Sequence, residues 1–216
     1  HINRRYSLLT RLQAMLLDAH FILEHTARNR SGRFFNFNGT AGIWRRQCIT
    51  ETGGWRHDTL TEDLDLSYRA QLRGWRFLFL PDVVTPGEIP IDMNSFKSQQ
   101  HRWSKGGIET AQKILPTLMK SSLPTRVRCE AFFHLTSNAN YLLLVLLALL
   151  AYPALVVRIT MGWKHLFVWD LVCFIASVIP IALYYCIASR EACGRWIGTL
   201  CSLPLLMSLG IGMSIN

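Results

Sequence analysis

The acidic triplet Thr61-Glu62-Asp63 is the clearest candidate for proton-transfer chemistry in this chain. A threonine followed by two carboxylates is typical of a helix start, with Thr61 as the predicted N-cap and a helix that runs to Gly74. The carboxylate of Asp63 could accept a proton from a hydroxyl group. The same residues could instead only complement the positive end of the helix dipole. Asp65 lies two residues further on and is the competing carboxylate.

A second cluster, Gln99-Gln100-His101-Arg102-Trp103, combines a cation with an aromatic ring. Gln99, Arg102 and Trp103 are three and four residues apart and therefore share one face of a helix. Arg102 can bind phosphate oxygens through its planar guanidinium group, and Trp103 can offer a flat apolar surface to a sugar ring. Alternatively, the arginine binds lipid headgroups and the tryptophan anchors a helix at the membrane interface. The residue types fit both interpretations.

A third candidate is the turn Phe37-Asn38-Gly39-Thr40. Its asparagine and threonine side chains could hydrogen-bond an acceptor sugar, while Gly39 would let that sugar approach the backbone. A plain hairpin turn uses the Asn-Gly pair equally well. His20 and His101 are interpreted as hydrogen-bonded polar groups rather than metal ligands.

Composition narrows the function classes. The chain has 216 residues, half of them hydrophobic, and a formal net charge of +9. This charge suits an anionic substrate or an anionic membrane surface. The basic residues are scattered rather than gathered in one arm or motif, so no nucleic-acid partner is expected. The six cysteines show neither disulfide nor zinc-finger spacing, so no structural metal is predicted.

Hydrophobic periodicity predicts amphipathic helices over residues 8–29 and 95–119. Residues 34–37 and 75–80 are rich in aromatic and apolar side chains and are predicted to be strands. Three apolar runs, residues 138–157, 166–188 and 197–215, are each close to the ~20 residues that span a bilayer. Arg126 and Arg128 precede the first run and favour a cytoplasmic N-terminal part.

These motifs, in order and spacing, resemble those of the membrane-bound family 2 glycosyltransferases, and among them the cellulose synthase-like glucomannan and glucan synthases. The matching stretches are Phe37-Asn38-Gly39-Thr40-Ala41-Gly42-Ile43-Trp44-Arg45, Gly53-Gly54-Trp55, Thr61-Glu62-Asp63-Leu64-Asp65-Leu66, Gly74-Trp75 and Gln99-Gln100-His101-Arg102-Trp103. The resemblance implies an α/β fold, a partial GT-A domain, followed by an all-α transmembrane region. Residues 1–94 would form the C-terminal half of the GT-A domain. Residues 95–130 would be interfacial helices, and residues 131–216 would hold three transmembrane helices.

The resemblance also implies a role for each motif. Asp63 would be the general base of an inverting transfer, with Thr61 and Glu62 in support. Gln99 and Arg102 would bind the diphosphate of the donor, and Trp103 would bind the acceptor. Four further residues would line the acceptor: Phe37, Asn38, Gly39 and Thr40.

We therefore expect a processive, inverting β-glycosyltransferase that transfers a hexose from a UDP- or GDP-sugar to a growing glycan. It would be an integral membrane protein of a bacterial inner membrane, or of a Golgi or plasma membrane, with its catalytic part in the cytoplasm. Mg²⁺ or Mn²⁺ would be held mostly by residues before His1, with no metal site within this chain. The chain is expected to be part of a longer protein and inactive alone.

Three alternatives remain. One is a non-processive glycosyltransferase that makes a glycolipid, and another is a polytopic transport or scaffold protein without catalysis. A glycosidase also uses paired carboxylates, but its two acids must flank the bond about 5–10 Å apart. The adjacent side chains of Glu62 and Asp63 diverge on a helix, which argues against that chemistry.

Overall fold

The computed structural model describes residues 1–194 and 196–215, and every regular element in that part of the chain is a helix. Two compact units form, residues 1–10 with 24–138, and residues 11–23 with 139–216. The elements are α1 (Leu8–Asp18), a π-helix (Ala19–His25), α2 (Thr26–Arg30), α3 (Arg46–Glu51), α4 (Glu62–Leu72), α5 (Met93–Lys120), α6 (Thr125–Leu135), α7 (Ala139–Thr160), α8 (Leu166–Cys193) and α9 (Ile197–Met213).

The predicted α/β class is wrong, because no strand or sheet forms among the described residues. Residues 34–37 and 75–80, predicted as strands, form neither a helix nor a strand. In residues 75–80 the side chains still alternate between half-buried and exposed, as they do in a strand with one covered face. Such an alternation can arise in a single segment that has one covered face. A sheet also needs a neighbouring strand to complete its hydrogen-bond ladder.

Side chains of α4 bind the backbone of residues 34–37 where a neighbouring strand would otherwise do so. The Gln71 amide accepts a hydrogen bond from the Phe35 N–H at 3.2 Å and donates one to the Phe35 carbonyl at 2.8 Å. The Ser67 hydroxyl oxygen lies 2.9 Å from the Phe37 N–H and accepts from it. Buried backbone groups must be paired, so these bonds fix the turn that follows Phe37 against α4.

The core of the first unit lies among α4, α5 and α6. Tyr68, Leu118 and Ala131 contribute one fully buried side chain from each of these helices. The Tyr68 hydroxyl and the His134 Nδ1 are 2.6 Å apart and connect α4 with α6. Burial raises the pKa of the Tyr68 phenol above its ordinary value, so the group is neutral at physiological pH.

Two helices of the second unit are long and apolar enough to cross a membrane, α7 with 22 residues and α8 with 28. At 1.5 Å per residue they measure about 33 and 42 Å, against a hydrocarbon layer of about 30 Å. Helix α9 is apolar but shorter, with 17 residues. The three helices coincide with the three predicted apolar spans. The two longer ones are consistent with membrane association.

The second unit contains one further feature relevant to a bilayer. Arg158 in the last turn of α7 forms an ion pair with Asp170 in the first turns of α8. Charges near the ends of apolar helices are costly in lipid unless they are paired. The pair therefore neutralises the acidic group in α8 and joins the two helices.

Candidate active site

Asp63 occupies the second position of α4, and its side chain is half-buried. Its Oδ1 accepts a hydrogen bond from the Leu64 N–H at 2.8 Å. Its Oδ2 faces Gly39, since a Cβ built on that glycine would lie 3.2 Å from the oxygen. Gly39 has a φ of +74°, a conformation that favours glycine. The fold thus brings the predicted base against the predicted acceptor turn.

The environment of Asp63 changes its proton affinity. Burial is the largest cause and raises the pKa of the carboxyl group, and the neighbouring Glu62 raises it further. The Leu64 N–H and the Arg102 guanidinium group act in the opposite direction. A higher pKa makes the ionised carboxylate a stronger proton acceptor than an ordinary aspartate. The Arg102 guanidinium group thus favours the ionised form of Asp63.

Gly106 and Thr110 of α5 contact Thr61 at the start of α4, and the predicted donor- and acceptor-binding residues lie on the same helical face of α5. That face consists, at steps of three and four residues, of Gln99, Arg102, Trp103, Gly106 and Thr110. A Cβ on Gly106 would lie 2.7 Å from the Thr61 backbone nitrogen, and the hydroxyl oxygens of Thr61 and Thr110 are 3.2 Å apart. Because Arg102 lies one turn before Gly106, this contact brings the arginine to the same end of α4 as Asp63.

The exposure of these side chains leaves them accessible to a ligand. Arg102 is exposed, Gln99 is half-buried, and 41% of the Trp103 surface is exposed. A guanidinium group can bind a diphosphate in two places at once, and an exposed indole can stack on a sugar ring. Binding of donor and acceptor by these three residues stays a prediction.

Thr61 is the N-cap residue of α4, as predicted, but its side chain does not cap the helix. Its hydroxyl contacts Thr110 of α5, and no side-chain hydrogen bond caps the helix. Glu109 of α5 also accepts a hydrogen bond from the Leu60 N–H at 3.0 Å. The start of α4 is thus fixed by a second helix rather than by its own N-cap. Glu62 is exposed at this start.

Within the turn of residues 37–40, the four predicted acceptor residues have different surroundings. The Phe37 ring packs edge-to-face on Trp44, 5.8 Å between centroids, and lies 2.7 Å from where a Cβ of Gly42 would be. Asn38 accepts a hydrogen bond from the Asn36 amide. Thr40 is exposed. Phe37 therefore supports the turn from inside, while Thr40 presents its hydroxyl to solvent.

Sequence reasoning missed the residues that join α4 to α5. Gly106, Glu109 and Lys113 all contact the segment that contains the acidic triplet. They continue the same helical stripe that begins at Gln99, so the periodicity of α5 contained a signal for them. Asp65, the competing carboxylate, is fully buried and ion-paired with Arg69 and Lys113.

The described residues do not by themselves fit the Mg²⁺ or Mn²⁺ ion that the resemblance implies. No group of three or more His, Cys, Asp or Glu side chains lies together in residues 1–194 and 196–215. Both cations need several oxygen ligands at once.

The chain matches one known protein family over nearly its whole length. The family described as "Glycosyl transferase family group 2" matches residues 2–210. The chain belongs to that family. The resemblance predicted from the motifs is thus confirmed, and with it the assignment of the chain to the glycosyltransferases.

Plant members of the family are among the similar curated proteins. Glucomannan 4-beta-mannosyltransferase 2 of Arabidopsis thaliana is 45% identical over 120 residues, which are 56% of this chain and 22% of that protein. Glucomannan 4-beta-mannosyltransferase 1 of Oryza sativa subsp. japonica is 42% identical over 124 residues, 57% of this chain and 24% of that protein. The chain thus matches about a quarter of the length of these relatives. No solved structure matches it.

Proposed function

We propose that the protein is an inverting β-glycosyltransferase that adds a hexose from a sugar nucleotide to the end of a glycan. The observation that supports this most is the arrangement around Asp63. Its half-buried carboxylate lies against Gly39, and the Arg102 guanidinium group favours its ionised form. A base, a diphosphate-binding cation and an open backbone turn are the parts that a single-displacement transfer requires.

In the proposed reaction, the acceptor hydroxyl oxygen attacks the anomeric carbon of the donor as the bond to the diphosphate breaks. The hydroxyl proton passes to the Asp63 carboxylate, and the bonding electrons leave with the diphosphate. Arg102 and Gln99 hold the departing diphosphate, whose negative charge grows in the transition state. Trp103 stacks on the acceptor sugar, and residues 37–40 lie along it. Attack opposite the leaving group converts an α-linked donor into a β-linked product.

The substrates are proposed on the names of the relatives. Both are glucomannan 4-beta-mannosyltransferases, which favours a mannosyl or glucosyl donor, a β-1,4 linkage and a polymer as product. Helices α7 and α8 would hold the protein in a membrane with its catalytic part on the cytoplasmic side, where nucleotide sugars occur. A divalent cation would need ligands other than the described residues.

The experiment uses the full-length protein in membranes, incubated separately with labelled GDP-mannose, UDP-glucose and UDP-N-acetylglucosamine. Products are sized and digested with linkage-specific hydrolases. We expect polymer from a hexose donor that a β-1,4-specific enzyme degrades. Short lipid-linked products would instead indicate a non-processive enzyme. Absence of transfer from all three donors by a correctly inserted protein would refute the proposed activity.

The role of Asp63 is tested by the variant Asp63→Asn, with Asp82→Asn as the matched control on an exposed loop. We expect Asp63→Asn to abolish turnover while donor binding is retained, because the amide cannot accept the proton. Asp82→Asn should behave as the unmodified protein. Normal polymer synthesis by Asp63→Asn would exclude it as the base.

A further inference from the structure

Asp65 is the most deeply enclosed charged residue near the candidate site, and the proposed reaction does not use it. Its side chain is fully buried, two residues after Asp63. Its Oδ2 lies 2.7 Å from the Arg69 guanidinium nitrogens, and its Oδ1 lies 2.8 Å from the Lys113 Nζ. Removing this carboxylate is expected to be destabilising, because the mostly buried Arg69 would lose its ion-pair partner.

These contacts join three separate segments of the first unit. Arg69 also donates hydrogen bonds to the carbonyl oxygens of Thr52 and Gly54, the latter at 2.8 Å. Lys113 of α5 also contacts the exposed Asp58 at 2.7 Å. One buried carboxylate in α4 thus connects to the turn before α4 and to α5.

The contacts also fix how each helix is rotated about its axis. Successive residues of a helix are about 100° apart, so Asp63 and Asp65 point about 160° away from each other. With Asp65 held inward by Arg69 and Lys113, Asp63 is directed to the opposite side, where Gly39 lies. An error in this rotation would move the Asp63 carboxylate away from the acceptor turn.

The same bond fixes the rotation of α5. Lys113 and Arg102 are 11 residues apart, which is about three full turns, so they lie on the same side of that helix. When Lys113 is bound to Asp65, the side that carries Arg102 must also face α4. One ion pair therefore sets the orientation of the base and of the diphosphate-binding cation together.

We propose that Asp65 is a positioning residue which, through Lys113 and Arg69, aligns the carboxylate of Asp63 with the guanidinium group of Arg102. This inference rests on the proposed function. Buried ion pairs add little stability compared with apolar packing but can impose one specific arrangement. Alignment matters here because misplacing a reacting group by about 1 Å can cost about 100-fold in rate.

The test compares Lys113→Met, Lys113→Arg and Lys120→Met in the full-length protein in membranes. Lys120 is an exposed lysine at the end of the same helix and provides the matched control. We expect Lys113→Met to lower kcat 10-fold or more, with the donor KM changed less than threefold. Lys113→Arg should restore most of kcat, and Lys120→Met should leave it unchanged. An unchanged kcat in Lys113→Met would overturn the inference.

The pH profile of kcat separates positioning from a general loss of folded protein. The charged groups that act on the Asp63 carboxylate are Glu62 on its own helix and Arg102 from α5. The uncharged groups beside it are the Leu64 N–H and the backbone of Gly39. If Lys113→Met frees Asp63 to move into solvent, its burial decreases, and the acidic limb of the profile should move to lower pH. If kcat of Lys113→Met falls at every pH but the acidic limb does not move, the role of Lys113 is structural only and the inference is overturned.

The outcomes also separate this inference from the proposed function. Failure of the unmodified protein to transfer any hexose would refute the proposed function, whatever the variants do. The double variant Asp65→Asn/Lys113→Met removes the Asp65–Lys113 pair, while Arg69 keeps its bonds to the Thr52 and Gly54 carbonyls. It should fold better than Asp65→Asn alone while remaining slow. Full activity in Asp65→Asn, with normal polymer length, would remove its positioning role and leave the role of Asp63 intact.

Discussion

Gly106 is the point at which α5 approaches the start of α4 most closely, and the variant Gly106→Ala tests whether that approach matters for catalysis. A Cβ there would lie 2.7 Å from the backbone nitrogen and Cγ2 of Thr61, and 2.8 Å from its Oγ1. Ordinary carbon contacts begin at about 3.4 Å. The two helices must therefore separate by about 0.7 Å, because a backbone atom cannot rotate out of the way.

The displacement falls directly between the groups proposed to act together. Thr61 immediately precedes the helix that carries Asp63, and Arg102 lies one turn before Gly106. Since about 1 Å of misplacement can cost about 100-fold, we expect kcat to fall about 10- to 100-fold. Overpacking should destabilise the fold by about 1–3 kcal/mol. The better helix propensity of alanine offsets about 1 kcal/mol of that, so most of the protein stays folded.

The assay measures kcat and the donor KM of Gly106→Ala in membranes, normalised to correctly folded protein. Gly107→Ala is the control, because it is the same change one residue further along the same helix. Its Cβ would meet the end of the Asn138 side chain at 2.5 Å, and that amide can rotate away. We expect near-normal activity from the control. Equal kcat values for the two variants would show that the α4–α5 contact does not position the reacting groups.

Three further predictions concern the same unit. Glu62→Gln should lower the pKa of Asp63, because Glu62 raises it; since the base acts when ionised, the acidic limb of kcat should move to lower pH. Tyr68→Phe should lower the free energy of unfolding by about 1–2 kcal/mol, because its 2.6 Å hydrogen bond to α6 is lost. Urea unfolding measures this loss, with Tyr6→Phe, at an exposed tyrosine, as the control. Gln71→Leu should lower the free energy of unfolding by about 2–4 kcal/mol, because two buried backbone groups lose their partner. It should also speed amide hydrogen exchange in residues 34–37.

The sheet prediction failed because the sequence does not show which backbone segments pair with each other. The aromatic and apolar residues of 34–37 and 75–80 predicted two strands, and neither segment forms one. The pattern contains no information on what pairs with that backbone, because the partner is chosen by distant residues. In this structure Gln71 and Ser67 of a helix bind the first segment. Sequence periodicity could not distinguish them from other polar residues on α4.

The predicted helices end within a few residues of the observed ones at most ends, because each depends on its own periodicity, whereas α3 was not predicted. The apolar runs became α7, α8 and α9, and the stripe from Gln99 became part of α5. The π-helix of residues 19–25 was not anticipated, because its wider turn is not favoured by any local pattern. Family membership was likewise available from motifs alone, because residue types and spacings are properties of the sequence.

The two aspartates of α4 illustrate what the tertiary structure alone decided. Asp63 and Asp65 are the same residue type, two positions apart on one helix, and the sequence offered both as acids. Their environments differ because Lys113 of α5 and Arg69 enclose one of them, while Gly39 leaves space beside the other. The sequence by itself determined most of the helices, the apolar spans and the family. Burial and charge pairing depend on contacts between residues far apart in the chain, so only the folded structure could separate the ion-paired carboxylate from the accessible one.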